Sequence, residues 1–294
     1  MAHVQVVCEV SERRACRTLG QPLSTQRYQA KTKDDEPPLL KRIFELVRLF
    51  PRFGYRRITE LLRGEGWKVN AKRIYRLWRQ EGLKVPKKTK KKRRLGNSEG
   101  GITRRTAEHK NHVWSVDFIF DRTSNGRPLK ILVVLDEFTR ECLALEVNRR
   151  FTSDQFIELI GKLISMRGVP KYIRSDNGPE FISKRVRTFL KKIDIGASYI
   201  EPGSPWQNGF VESFNSRFRD ECLNCEEFTT LREAQQVILS WMKNYNHKRP
   251  HSSLGGLTPA AFGDRCSALP NVAPLHLPKP SNKKNYPSST FITL

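Results

Sequence analysis

The stretch that most limits the fold lies between residues 112 and 147. HVWSVDFIFD (112–121) alternates, with Trp114, Val116, Phe118 and Phe120 on one face and Ser115, Asp117 and Asp121 on the other beside Val113 and Ile119. The turn SNGRP leads into LKILVVLD (129–136), and a second short turn near Glu137 to Arg140 leads into ECLALEV (141–147). Connections this tight join antiparallel neighbours, so three consecutive strands are expected side by side. The pattern then changes. A helix from about Thr152 to Gly168, with Phe156, Leu159, Ile160, Leu163 and Ile164 as its apolar side, precedes a short strand, KYIRS (171–175). The loop DNGP, one helix from about Glu180 to Lys192, a strand at ASYIE (197–201) and a helix opening at SPWQ (204–207) follow. Hairpins followed by strand–helix alternation predict an α/β fold, a mixed five-stranded sheet with flanking helices.

The part before this sheet has another texture. SERRACRTLGQPLSTQRY (11–28) reads as a helix capped by Ser11, a stop at Gly20 and a second start at Ser24, or else as a basic arm. Leu39, Leu40, Ile43, Leu46, Val47 and Phe50 keep helical spacing up to Pro51, and Ile58, Leu61 and Leu62 define a second helix ending at Gly64. A third starts at the Asn70 cap, buries Ile74, Leu77 and Trp78, and turns Lys72, Arg73, Arg76 and Arg79 outward. Three short helices, the last one basic, predict a helix-turn-helix DNA-binding module over 37–85 behind a basic segment at 1–36; a small bundle with solvated charges is the plainer alternative. The linker 86–108 contains KKTKKKRR (87–94), with Lys91 and Arg93 among its phosphate-binding candidates; a nuclear import signal has the same composition. Residues 1–108 hold 28 Lys or Arg against 11 Asp or Glu, which is +17 of the chain's net +24. A field of that size points to a polyanion, and nucleic acid fits better than a membrane because neither end shows a broad apolar helix face.

The helix after SPWQ shows where chemistry enters. Phe210, Phe214 and Phe218 recur every four residues, while Glu212 projects from nearly the opposite side with Asn208, Gly209, Asn215 and Ser216 at its three- and four-residue neighbours. It has no local cation. Asp176 stands where a strand hands over to a helix, the crevice in which open α/β sheets bind ligands, and Asp117 points from the middle of a strand that can be that strand's neighbour. Each acid alone has an ordinary role: an ion pair for Asp117, a cap for Asp176, simple exposure for Glu212. Together they describe like charges that divalent cations would hold in a cleft, and two ions can serve in-line phosphoryl transfer.

WSVDF, SDNGPEF and NGFVESFN, with thirty-five residues between Asp176 and Glu212, resemble the Asp, Asp, Glu set of retroviral integrases and related bacterial transposases. RACRTLGQPLSTQRY, GYRRITELL and YNHKRPHSSLGGLTPAAF (245–262) carry the resemblance further, to the insertion-sequence transposases encoded by the second reading frame (OrfB) of the IS-three group, over residues 8 to about 263. The resemblance implies an RNase H-like catalytic core at 109–265 and two Mg²⁺ (or Mn²⁺) ions per site, with Asp117 bridging both, Asp176 holding one and Glu212 the other. It implies cleavage of one strand at each element end with water and attack by the freed 3′-OH on another phosphodiester, without a covalent protein intermediate, through a figure-eight and then a circle. Double-stranded DNA, as element ends and target, and a homo-oligomer on DNA are the implied partners. The chain begins at Met1 without the second helix-turn-helix and zipper carried by the group's upstream-frame (OrfA) product, which makes that product a candidate partner in end recognition. The retroviral zinc domain has no counterpart, since His3, His109, Cys8 and Cys16 are the residues at hand. Two rivals stand beside this reading: a DNA-binding regulator with an inactive core, and a hydrolytic RNase H-type nuclease.

Further candidates are weaker. Cys222, Cys225, His247 and His251 form CxxC then HxxxH, but the gap of 21 residues exceeds usual finger spacing and zinc is not expected. Asp121, Asp136, Glu137 and Glu180 are not taken as metal ligands. Asn177 and Gly178 are expected to shape the loop behind Asp176, and Asn208 and Asn215 to touch DNA or position Glu212. Arg217, Arg219, Lys243, Lys248 and Arg249 are backbone-contact candidates, and Trp206 could stack on a base. The tail at 266–294 is expected to be poorly ordered. With no apolar run near the ~20 residues of a membrane span, no secretory signal and free thiols, the expected location is the bacterial cytoplasm, at the nucleoid.

Overall fold

The computed structural model describes residues 7–28, 34–86, 106–199 and 208–268. The chain divides into two compact units, 1–49 and 50–294. The expected tail (266–294) and the basic run with Lys91 and Arg93 fall wholly or mostly outside the described residues, as do Ser204 to Gln207 at the expected start of the SPWQ helix.

In the first unit, helix α1 (Glu12–Thr18) is capped by Ser11, whose Oγ accepts the Arg14 N–H, and Gly20 turns the chain at φ +64°. Helix α2 (Leu23–Gln26) follows Pro22, so Ser24 lies within it rather than capping it. Arg27 returns to Glu12 at 2.7 Å. Helix α3 (Glu36–Leu49) takes Pro37 and Pro38 into its first turn, where a missing N–H costs nothing, and buries Leu39, Ile43 and Leu46 at helical spacing.

The second unit opens with α4 (Tyr55–Gly64) and α5 (Ala71–Gln80), which pack together. Asn70 Oδ1 accepts the Arg73 N–H at 2.8 Å, the cap the sequence places there. Ile58, Leu62, Ile74, Leu77 and Trp78 are buried.

The sheet consists of β1 (Val113–Arg122), β2 (Pro128–Asp136), β3 (Cys142–Asn148), β4 (Tyr172–Ser175) and β5 (Gly196–Tyr199), in the order β3-β2-β1-β4-β5. The first three strands are antiparallel neighbours; β4 and β5 join parallel to β1. Parallel additions need crossovers, and helix α6 (Ser153–Arg167) supplies the first. Its Thr152–Gln155 capping box and the Gly168 terminator, φ +91°, fix both ends. Between β4 and β5 the expected single helix is two, α7 (Pro179–Ile182) and α8 (Lys184–Lys192). Ser183 separates them: its backbone is extended and its Oγ caps Val186, so one short serine restarts the helix.

Both sheet faces are covered. Trp114, Val116, Leu132 and Val134 pack under α6 and α8 with Phe156, Ile160, Val186 and Leu190. Ile119, Ile131, Val133 and Leu135 pack under helix α9 (Gly209–Phe218) and helix α10 (Leu231–His247) with Val211, Phe214, Phe218 and Ile238. A π-helical turn (Arg219–Leu223) follows α9, and α11 (Pro259–Ala268) ends the described chain. This arrangement, three antiparallel strands extended by two parallel ones between helical layers, is the RNase H-like fold. Among the described residues no helix is long and apolar enough to cross a membrane.

Candidate active site

The parallel register between β1 and β4 brings the first two acids together. Val113, Trp114 and Ser115 lie across from Tyr172, Ile173 and Arg174. Two residues further on, just past the end of the β1–β4 pairing, lie Asp117 in the middle of β1 and Asp176 directly after β4, where the chain turns toward α7. Gly178 closes the loop there, its N–H donating to Asp176 Oδ1 at 3.0 Å. A Cβ on Gly178 would lie 3.0 Å from that oxygen, so a larger residue would push the carboxylate away.

Helix α9 brings the third. Phe214 and Phe218 are buried, with Phe210 packed beside them, which fixes the helix's rotation on the sheet. Glu212 is left exposed on the other side, as its spacing predicts. One turn on, Asn215 Nδ2 donates to Asp117 Oδ2 at 2.7 Å, stitching this helix to β1. Asn215 Oδ1 is buried without a hydrogen-bond partner.

The carboxyl of Asp117 is pushed up to about 6. Burial is the first cause; the Phe118 N–H opposes it, the charge of Asp176 adds to it, Asn215 opposes it and the charge of Glu212 adds again. An acid that feels both of the others is electrostatically frustrated, and added positive charge would relieve it. Among the described residues no three His, Cys, Asp or Glu side chains are gathered tightly enough to hold a metal ion. The donors therefore suit divalent cations in chemistry, hard oxygens on mutually repelling acids, while the three-ligand set is not closed.

The other acids have partners of their own. Glu180 pairs with Lys130, Asp136 takes backbone N–H groups from Asn111, Phe138 and Thr139, and Glu137 is paired with Arg174 and Ser115.

The basic candidates divide. Lys72, Arg76 and Arg79 are exposed on α5, and Arg73 is half-buried. Arg219 is exposed and donates to the Phe120 carbonyl at 3.1 Å. Three expectations of DNA contact change. Arg249 is only 3% exposed: Nε and Nη2 each reach Glu221 at 2.8 Å, so it cannot meet a phosphate in place. Asn208 is buried as well. Asn215 is turned toward Asp117, neither free for DNA nor bonded to Glu212, the acid it is expected to position. Sequence reading missed the whole junction around Glu221, where Arg57 also donates at 2.8 Å and Arg52 pairs with neighbouring Asp220. Arg249, the one arginine of YNHKRPH, is expected from sequence to contact DNA, and nothing local tells a buried guanidinium from an exposed one.

His251 belongs to the same junction, facing Arg249 and the Tyr245 ring, and Cys222 and Cys225 are both free thiols. No zinc cluster forms among the described residues.

Models described as "Integrase core domain" match residues 107–205 and 193–259, and one described as "HTH-like domain" matches 33–93. The chain is 42% identical, over 86% of its length and 72% of the relative's, to the insertion element IS476 39.2 kDa protein of Xanthomonas euvesicatoria. It is 39% identical, over 89% of its length and 94% of the relative's, to the insertion element IS407 31.7 kDa protein of Burkholderia multivorans. The transposase for insertion sequence element IS904 of Lactococcus lactis is 29% identical over 72% of this chain and 87% of its own. Among solved structures, the HTLV-2 integrase catalytic core domain in complex with magnesium is similar at 22% identity, TM-score 0.41, over 53% of this chain and 97% of that one.

Proposed function

The chain belongs to the IS3-type insertion-element transposases with an integrase-like core, and from that premise we propose that Asp117, Asp176 and Glu212 are its catalytic carboxylates. The protein is a DNA transposase, an enzyme of DNA transposition. The observation that carries the assignment of residues is Asp117, half-buried in the middle of β1 and feeling the charges of the other two acids.

In this reading Asp117, Asp176 and Glu212 would hold divalent cations, Mg²⁺ or Mn²⁺, two per site. Such ions, when bound, activate an attacking oxygen and stabilise the leaving oxygen of a phosphodiester. The chain's own parts do the rest. Asn215 holds Asp117 in orientation, and Gly178 lets the backbone hold Asp176. The exposed Lys72, Arg76 and Arg79 of α5, with the half-buried Arg73 among them, bind duplex phosphates at the element ends, and Arg219 guides the strand near the site. Lys91 and Arg93 add sequence-independent affinity. Water cuts one strand at each end, and the freed 3′-OH attacks the target phosphodiester in line, so no covalent protein intermediate is needed. Bringing two ends together calls for at least two protomers on DNA, and the OrfA product is a partner in choosing the ends. The place of action is bacterial DNA, in the cytoplasm at the nucleoid.

The test uses a labelled duplex carrying the element's terminal repeat, a target plasmid and Mg²⁺. Nicked ends followed by joined products are expected from the wild type and neither from Glu212→Gln. A protein that shifts the DNA but never nicks it would be a regulator, and one that nicks without joining would be a hydrolytic nuclease; either outcome overturns the proposal.

A further inference from the structure

Beneath the two aspartates lies a buried ion pair. Arg174, on β4, is 3% exposed, and Glu137, in the turn between β2 and β3, is 1% exposed. Arg174 Nη1 donates to both Glu137 oxygens, at 2.6 and 2.8 Å, and the buried Ser115 hydroxyl donates to Oε1 of the same carboxylate. Ser115 stands two residues before Asp117, and Arg174 two residues before Asp176.

Why charge is kept in this place is the informative question. A buried ion pair contributes little net stability, because desolvating both ions costs about as much as their attraction returns, and well-packed apolar residues usually do as well. Strand pairing does not require it either, since β1 is already bonded along its length to β2. What the pair adds is directional. The β1–β4 register covers three residue pairs, and Ser115 opposite Arg174 is the last of them. Beyond that rung β1 runs on to Asp117 and the chain leaving β4 reaches Asp176, with no further β1–β4 pairing among the described residues. Glu137 therefore grips both strands, through one hydroxyl and one guanidinium, at the last place where their separation can be set.

We propose that Ser115, Glu137 and Arg174 form a clamp that sets the spacing of the Asp117 and Asp176 carboxylates and thereby their affinity for a divalent cation. They are positioning residues, acting through the two acids without touching substrate. The inference rests on the reading of Asp117 and Asp176 as a ligand pair.

The double variant Arg174→Met with Glu137→Met keeps the volume and removes both charges together, so the fold is expected to survive with an unfolding temperature close to wild type. Mn²⁺ binding to the full chain without DNA, followed by calorimetry, is expected to weaken about tenfold, the scale seen when outer partners of metal ligands are lost. The Mg²⁺ concentration that half-saturates strand transfer should rise by a similar factor, with the rate at saturating Mg²⁺ reduced less. Arg174→Lys, which keeps a cation against Glu137, should recover part of the affinity. Ser115→Ala loosens one arm only and should weaken Mn²⁺ binding two- to threefold, which gives a reading even where the double variant does not fold. Wild-type Mn²⁺ affinity in a folded double variant, or in Ser115→Ala where that variant fails to fold, overturns the clamp. If instead wild type binds no Mn²⁺, or binds it equally well as Asp117→Asn, the ligand assignment itself has failed.

Discussion

In the proposed function the sheet end around Asp117 and the basic face of α5 both meet DNA, yet they are built on opposite principles. At the sheet end each functional group is unique and held from several directions: Asp117 by Asn215 and the Phe118 N–H, Asp176 by Gly178. On α5, Lys72, Arg76 and Arg79 stand exposed on a helix whose buried side is an ordinary apolar stripe. The difference reflects what each must do. Chemistry at a phosphorus atom depends on sub-ångström placement, whereas affinity for a polyanion accumulates from many weak, interchangeable contacts. One region should therefore break at single atoms and the other fade by degrees.

The sharpest break is expected at the acids. Asp117→Asn, Asp176→Asn or Glu212→Gln should each lower strand cleavage and joining on the order of a thousandfold or more, leaving the gel shift of end DNA in place. Asp117→Asn carries a second signature. Its carboxyl, near 6 in the fold, sits above the ordinary value of 3.8, so ionising it at neutral pH opposes folding. Removing that charge should stabilise the metal-free protein by about 1–2 kcal/mol, seen as a raised midpoint in urea. An inactive variant that is also destabilised would mean Asp117 is a structural acid.

Next in size is the junction around Glu221, where the two principles mix. Arg57 in α4 and Arg249 after α10 converge on this one carboxylate, and Arg52 pairs with Asp220 beside it. Glu221→Ala leaves the buried Arg249 guanidinium without its carboxylate and should cost about 3–5 kcal/mol in denaturant unfolding. A loss under 1 kcal/mol would show that the arginines here are solvated after all, like those on α5.

His251 reads the same junction through pH. Burial first, then Arg249, lowers its pKa to about 3, with Arg217 and Arg57 adding to the effect and the Arg249 carbonyl opposing it. The folded value lies below the unfolded one of 6.5, so as pH falls the unfolded chain takes the proton first. Stability from this group is complete above about 6.5 and is lost on the way down toward 3. Asp117 works the other way between about 6 and 3.8, which makes Asp117→Asn the right background. There, stability at pH 5 should lie about 2 kcal/mol below that at pH 7, and adding His251→Gln should flatten the difference.

How much of this was visible in the sequence follows the same divide. The strand alternation around Asp117, the Asn70 cap, the helix start near Thr152 and the Phe214–Phe218 stripe are short-range signals, and the structure carries each of them. The joining of Asp117 to Asp176 needed only sheet order, which hairpins and crossovers nearly dictate. Helix breaking at Ser183 was missed because a serine within a helical run reads equally well as interior or cap. Arg174, Glu137, Glu221 and Arg249 were missed for a different reason: burial of a charge is decided by a partner tens of residues away, and no local pattern records that partner. Arg249 shows the cost most clearly, since the composition that suggested DNA contact is the same composition that fills an internal junction.

The smallest effects are expected on α5, and their smallness is the point. Lys72→Ala, Arg76→Ala and Arg79→Ala should each weaken DNA binding only severalfold, nearly equally for element ends and unrelated duplex, because phosphate contacts carry little sequence information. The salt dependence is more telling than the affinity. Each lost phosphate contact should reduce the slope of log affinity against log salt by about 0.9, and the three together by nearly three times that. Joining rates at saturating DNA should stay at the wild-type level, since no reacting group has moved. A single α5 variant that abolished binding to the ends while sparing unrelated DNA would mean that this face reads bases, and the graded region would then be as exacting as the sheet end.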